Sequence, residues 1–224
     1  TRRLTPWKRL DYCIGKLYER KQLRMRNRVL RCAHAVTSVS PWHQQRLAQY
    51  NPNTQLIFNG YDEQLFVPKD VKSEVFQIAY LGKLYSTKLR DPRLLFAALQ
   101  ELLAEGKIAA KDLRVLFHVD EKGKEQLSEL AKEYQISPVV DIHGYIPRTE
   151  IVEVMYQSSI LLVLTTKSTA EGTHGIMGTK FFENMGVEKP VLCVRSDEEC
   201  LAQVISQTQA GLAATQVEEV KTFV

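Results

Sequence analysis

Residues 171–190 read EGTHGIMGTKFFENMGVEKP and concentrate the chemistry of this chain. Three glycines fall within seven residues (Gly172, Gly175, Gly178), followed by the pair Thr179-Lys180 and then Glu183. An apolar run, Ile160 to Leu164, leads toward them, and a helical pattern follows from residue 179. A strand, a glycine loop and a helix opening on Thr and Lys together make an anion site. Amides of the first helical turn have no partner within the helix, and the positive end of its dipole favours a phosphate. The same pattern also describes an ordinary strand-to-helix turn, so this stretch alone leaves both readings open. A second stretch, GKLYSTKLRDP at 82–92, places Lys83, Lys88 and Arg90 behind Gly82, again after an apolar strand pattern. Cations from two neighbouring loops, added to a helix N-terminus, would hold a diphosphate.

These loops need elements to carry them. Strand patterns occur at 76–82, 113–119, 137–144, 160–165 and 190–195, with a last short one at 211–215. Helical patterns lie between them at 91–106, 121–135, 147–159, 179–187 and 197–208. Strict alternation with Val-, Ile- and Leu-rich strands predicts an α/β fold with a parallel sheet covered on both faces. Ligands of such sheets bind at the carboxyl ends of the strands, near the switch in strand order. The loops after 82 and 165 both belong to that edge. Before this regular region come a helix over 7–31, a strand at 33–40, a helix from Pro41 to Tyr50, a strand at 54–60 and a connector at 61–68.

Bulk composition bounds the partners. With 224 residues and 44% hydrophobic content the chain can bury a core, and no apolar run approaches the length of a membrane-crossing helix. The four cysteines (Cys13, Cys32, Cys193, Cys200) lack CxxC spacing, which predicts free thiols and a reducing, cytoplasmic setting. No Asp-x-Asp pair stands at a strand end, so no metal site is expected. Residues 1–31 carry eleven Lys or Arg against Asp11 and Glu19, a net +9 that leaves −5 for the rest of a chain of net +4. The charge is read first as the solvated face of a helix. Its alternative is peripheral contact with an anionic membrane, which would place the protein on the inner membrane face. Nucleic acid is not expected, because no binding motif accompanies the charge. The chain opens on Thr, and it is expected to be a piece of a longer protein.

Taken jointly, NGYDEQLF–VP, YLGKLYSTKLRDP, HGYIPRTEIVEVMYQSSILLVL and GTKFFENMGVEKPVLCV resemble bacterial group 1 glycosyltransferases of the GT-B fold. The resemblance covers roughly 33–215 and is most specific over 78–92 and 142–195. It implies two Rossmann-like domains, of which residues 69–224 would be the nucleotide-sugar donor domain. Residues 1–68 would be the truncated end of the acceptor domain. It implies transfer of a sugar from a nucleotide-diphosphate sugar to a glycan, lipid-linked or polysaccharide-precursor acceptor, retaining and metal-independent, with no cofactor beyond the donor substrate. By position, Gly82 and Lys83, with Lys88 or Arg90, match the family's first basic loop. Gly175, Gly178, Thr179 and Lys180 match its phosphate-facing helix start, and Glu183 matches the acid that binds the donor ribose. His174, in the glycine loop, is either a donor contact or a solvated residue. Two departures stand out. Glu171 lies twelve positions before Glu183, further than in the family pattern, and LFHVDEKG carries His118 and Asp120 where a GxG turn is usual. An epimerase of the same fold and a non-catalytic nucleotide-binding module are the alternatives, and the fragment alone is expected to be inactive.

Overall fold

The computed structural model describes residues 6–71, 73–166, 175–194 and 199–224, without the side chains of 6–13 and 199. The chain forms two compact units, residues 1–58 and 59–224.

In the first unit, helix α1 (Pro6–Cys32) precedes strand β1 (Val36–Ser38), helix α2 (Pro41–Ala48) and strand β2 (Thr54–Leu56). The two short strands pair in parallel, Val36 opposite Thr54. Ser40 caps α2: its hydroxyl accepts from the His43 amide at 3.3 Å, and Pro41 supplies a preset φ at the first helical position. Asn51 ties the end of α1 to this unit by donating to the carbonyls of Leu30 (2.9 Å) and Ala33 (2.8 Å).

The second unit holds strands β3 (Phe76–Leu81), β4 (Leu113–His118), β5 (Val140–His143), β6 (Ile160–Leu164), β7 (Val191–Val194) and β8 (Gly211–Ala214). Its helices are α3 (Arg93–Ala104), α4 (Glu121–Glu133), α5 (Arg148–Gln157), α6 (Thr179–Gly186), α7 (Glu199–Thr208) and α8 (Val217–Phe223). Every strand pairing is parallel, in the order β5-β4-β3-β6-β7-β8. The expected α/β architecture is therefore present, with its order reversing between β3 and β6.

The alternation of β3 explains the two covered faces. Ile78 and Tyr80 join a cluster with Leu95, Phe96 and Leu99 of α3 and Leu127 of α4. Ala79 and Leu81 point the other way, to Val152, Met155 and Tyr156 of α5. Successive strand side chains point to opposite faces, so a sheet buried on both sides needs an unbroken apolar run. Phe66, in the connector, is buried in that second cluster. Leu65 and Phe66 consequently pack with the large sheet, and the compact units divide after Phe58.

Three elements differ from the expectations. The strands expected at 33–40 and 54–60 are three residues each. After the last expected strand the chain adds helix α8, opened by a capping box in which Gln216 and Glu219 cap each other's backbone.

Candidate functional site

Gly82 continues the ladder past the end of β3, its amide donating to the His118 carbonyl at 3.1 Å. The chain then leaves the sheet through Lys83 and the fully buried Leu84. At Tyr85 the backbone is left-handed (φ 62°), a conformation that costs an L-residue about 1–2 kcal/mol. A turn follows, in which the amides of Leu89 and Arg90 donate to the Ser86 carbonyl at 3.1 and 2.9 Å. It delivers Arg90 back over the strand it left. Arg90 Nη1 donates to the Tyr80 hydroxyl at 3.1 Å and to the Lys83 carbonyl at 2.7 Å. The Tyr80 hydroxyl donates to that same carbonyl at 3.0 Å. Burial raises the pKa of Tyr80, an effect partly offset by the neighbouring Arg90. Arg90 Nε is buried and has no hydrogen-bond partner.

The second loop arrives from β6. Gly175 adopts a left-handed φ of 72°, and Gly178 forms the N-cap of α6 without any side-chain cap. The first turn of α6 holds no acidic residue and carries Lys180, so positive dipole and ammonium charge coincide. A cation there weakens the helix; it suits a helix end that meets an anion. The two loops touch: a Cβ on Gly82 would lie 4.0 Å from Lys180 Cγ, so the lysine stem crosses directly above the bare backbone. Lys180 Nζ rests 2.9 Å from Glu183 Oε2, one turn on along the helix. That contact is ionic only, since Oε2 is buried and receives no aligned hydrogen bond. Glu183 Oε1 lies 3.8 Å from Arg148 Nη2, at the start of α5.

A cavity of about 140 Å3 opens where these parts meet, lined by Arg90, Thr165, Thr166, Gly178, Thr179 and Lys180 among others. It lies at the carboxyl ends of β3 and β6, where strand order reverses. The segment 59–66 braces the helix behind it. Asn59 Nδ2 donates to the Met177 carbonyl at 3.4 Å, and the Tyr61 ring occupies the space that a side chain on Gly186 would need.

Five residues singled out by sequence therefore converge: Gly82, Arg90, Gly178, Thr179 and Lys180. Of the two alternatives for the loop's second cation, Arg90 lines the cavity and Lys88 stands exposed in the turn before it. Lys83 is exposed too, with its ammonium 4.9 Å from the centroid of the Tyr85 ring, and it does not line the cavity. Glu183 is largely buried behind Lys180. His174, with Glu171 and Gly172, lies outside the described residues. Sequence reasoning missed Arg148, Tyr80 and Tyr85. Tyr80 read as one more strand residue, and Arg148 as the polar start of a helix. The aromatic flanked by Lys83 and Arg90 in sequence was the available signal for Tyr85.

A family model described as glycosyl transferases group 1 matches residues 62–224. The chain belongs to that family. No curated protein sequence matches it. Among solved structures, this group 1 glycosyltransferase chain is similar to a glycosyltransferase from Rickettsia africae, with a TM-score of 0.56 at 18% identity. That match covers 84% of this chain and 56% of the other. It is also similar to S. aureus TarM, solved with UDP and alpha-GlcNAc-glycerol, with a TM-score of 0.63 at 11% identity over 91% of this chain and 39% of that one. The C-terminal domain of the Francisella tularensis group 1 protein LpcC gives 0.52 at 15% identity, over 73% and 85% respectively. These likenesses show the GT-B glycosyltransferase fold. The chain spans about half or less of the first two relatives' lengths.

Proposed function

We propose that the 59–224 unit binds the donor of a glycosyl transfer reaction, a nucleotide-diphosphate sugar, and that the protein transfers its sugar to a glycan, lipid-linked or polysaccharide-precursor acceptor. The observation that carries this reading is the convergence of Arg90, Lys180 and the uncapped N-terminus of α6 on one cavity at the strand-order switch. Its 140 Å3 suits a diphosphate, whereas whole ligand pockets commonly occupy about 300–1,000 Å3. The nucleoside and sugar would then extend along the neighbouring loops, with Glu183 accepting from the ribose hydroxyls.

The chemistry follows from charge. Breaking the glycosidic bond leaves negative charge on the departing diphosphate, and fixed donors aimed at that charge lower the barrier more than they stabilise the ground state. Arg90, Lys180 and the amides of Thr179 and Lys180 would supply them. Lys83 would join by leaving the Tyr85 ring. We further propose that transfer is retaining and needs no metal. Calorimetric titration with UDP, GDP and ADP tests the binding step; a chain that binds none of them does not hold such a donor.

The basic helix supports a second partner. On α1, Ile14, Leu17, Tyr18, Met25 and Val29 are exposed along one side, with Lys21 and Arg28 among them. Peripheral contact with an anionic bilayer would bury the apolar stripe and pair the cations with lipid phosphates. Binding to phosphatidylglycerol vesicles but not to phosphatidylcholine vesicles is the expected result.

A further inference from the structure

Lys180 has two claims on it. In the structure it neutralises Glu183, whereas the proposed donor needs it at the diphosphate. If phosphate draws the ammonium away, a largely buried carboxylate loses its nearest cation, and burying an unpaired charge is costly. Only one other cation reaches Glu183 among the described residues, the Arg148 guanidinium at 3.8 Å.

The placement of Arg148 argues for a task. It is the first residue of α5, at the positive end of that helix, where a cation opposes the dipole. Its guanidinium lies 5.5 Å from the centroid of the buried Phe66 ring, which holds the charge against the connector and close to α6. Helix stability gains nothing from this arrangement. A counter-ion kept in reserve for Glu183 does account for it.

We infer that Arg148 is a positioning residue that keeps the Glu183 carboxylate paired and in place when a donor diphosphate takes Lys180, an inference that rests on the proposed donor site. Two cations face the carboxylate, Lys180 from its own helix and Arg148 from α5. Before binding, Glu183 is shared. After binding, Lys180 serves the phosphates and Arg148 alone holds the acid toward the ribose.

A double-mutant cycle read by UDP, GDP and ADP titration separates this from a role in folding. The nucleotide that the wild-type chain binds should bind Arg148→Gln about fivefold more weakly, the range of a single partly exposed ion pair. Arg148→Lys should restore most of the loss. In the Glu183→Gln background, where there is no charge to hold, Arg148→Gln should change nothing further. An equal loss in both backgrounds, or no loss in either, overturns the inference while leaving the donor reading intact. A wild-type chain that binds no nucleotide overturns both. Should Arg148→Gln not fold, Phe66→Leu removes the ring beside the guanidinium, and the same dependence on Glu183 is expected. Its absence likewise rejects the role.

Discussion

At the scale of single residues, the site separates cations that sequence could not tell apart. Lys88 and Arg90 sit two positions apart in one basic loop, and spacing alone leaves the choice open. The turn that begins at Ser86 decides it, because it sends Arg90 back to Tyr80 and the Lys83 carbonyl. Replacing Arg90 with Ala should weaken diphosphate binding by about 1.5–3 kcal/mol, the worth of a charged hydrogen bond, whereas Lys88→Ala should stay within about 0.5 kcal/mol. Lys180→Ala should lose about 1–3 kcal/mol by the same argument. Titration of the three variants with one nucleotide diphosphate checks the order. The helix start at Gly178, Thr179 and Lys180 was legible because a glycine loop punctuates the end of an apolar run and a helical pattern follows it. Arg148 and Tyr85 were not, since their roles come from what packs against them across the fold.

At the scale of elements, most boundaries follow from period and punctuation. Buried parallel strands read as unbroken Val, Ile and Leu, and Asp91-Pro92 and Gly106 bracket α3 in sequence as in structure. Helix α8 escaped because seven residues give too short a period to register; its capping pair Gln216 and Glu219 was the signal present. That helix is held to α3 by Lys221, which donates to Glu101 and Glu105, both at 2.8 Å. Hydrogen bonds from Lys107 and Lys221 lower the pKa of Glu105 from 4.5 to about 2, and the bonds Lys221 donates to Glu101 and Glu105 raise its own. A depressed acid lends stability above its unfolded pKa and loses it as pH falls toward the folded one. The gap in melting temperature between wild type and Lys221→Met should therefore be full near neutrality and narrow from pH 4.5 down toward 2. On the alkaline side the raised lysine keeps its contribution up to its ordinary 10.5, and the gap should close only beyond that. At the start of β8, Gly211 holds a φ of 155°, and a Cβ there would lie 1.9 Å from the Val191 carbonyl oxygen. Gly211→Ala should cost on the order of 3 kcal/mol or more in urea denaturation, because neither backbone can yield without breaking the β7–β8 ladder.

For the molecule as a whole, every cavity-lining residue belongs to the 59–224 unit, as do the segments that brace α6. A chain shortened to residues 59–224 should keep the nucleotide affinity of the longer one; one begun at residue 69 should lose stability, since it lacks Phe66 and Tyr61. Paired melting and titration curves decide between them. This also explains why a division at 68 reads naturally from sequence. The connector has no periodicity, and its anchors, Tyr61 and Phe66, declare themselves only once the sheet is formed. The overall α/β plan was legible because it rests on repeated patterns, whereas the membership of the connector in the second unit rests on a few aperiodic contacts.

The resting pair of Lys180 and Glu183 has a kinetic consequence. An ammonium already matched by a carboxylate adds little to the field that a distant anion feels, so the empty site draws ligand more weakly than its count of cations suggests. Release of Glu183 should matter only after arrival. Stopped-flow association of a nucleotide diphosphate should therefore depend less steeply on ionic strength in the wild-type chain than in Glu183→Gln, where the lysine charge is uncovered from the outset.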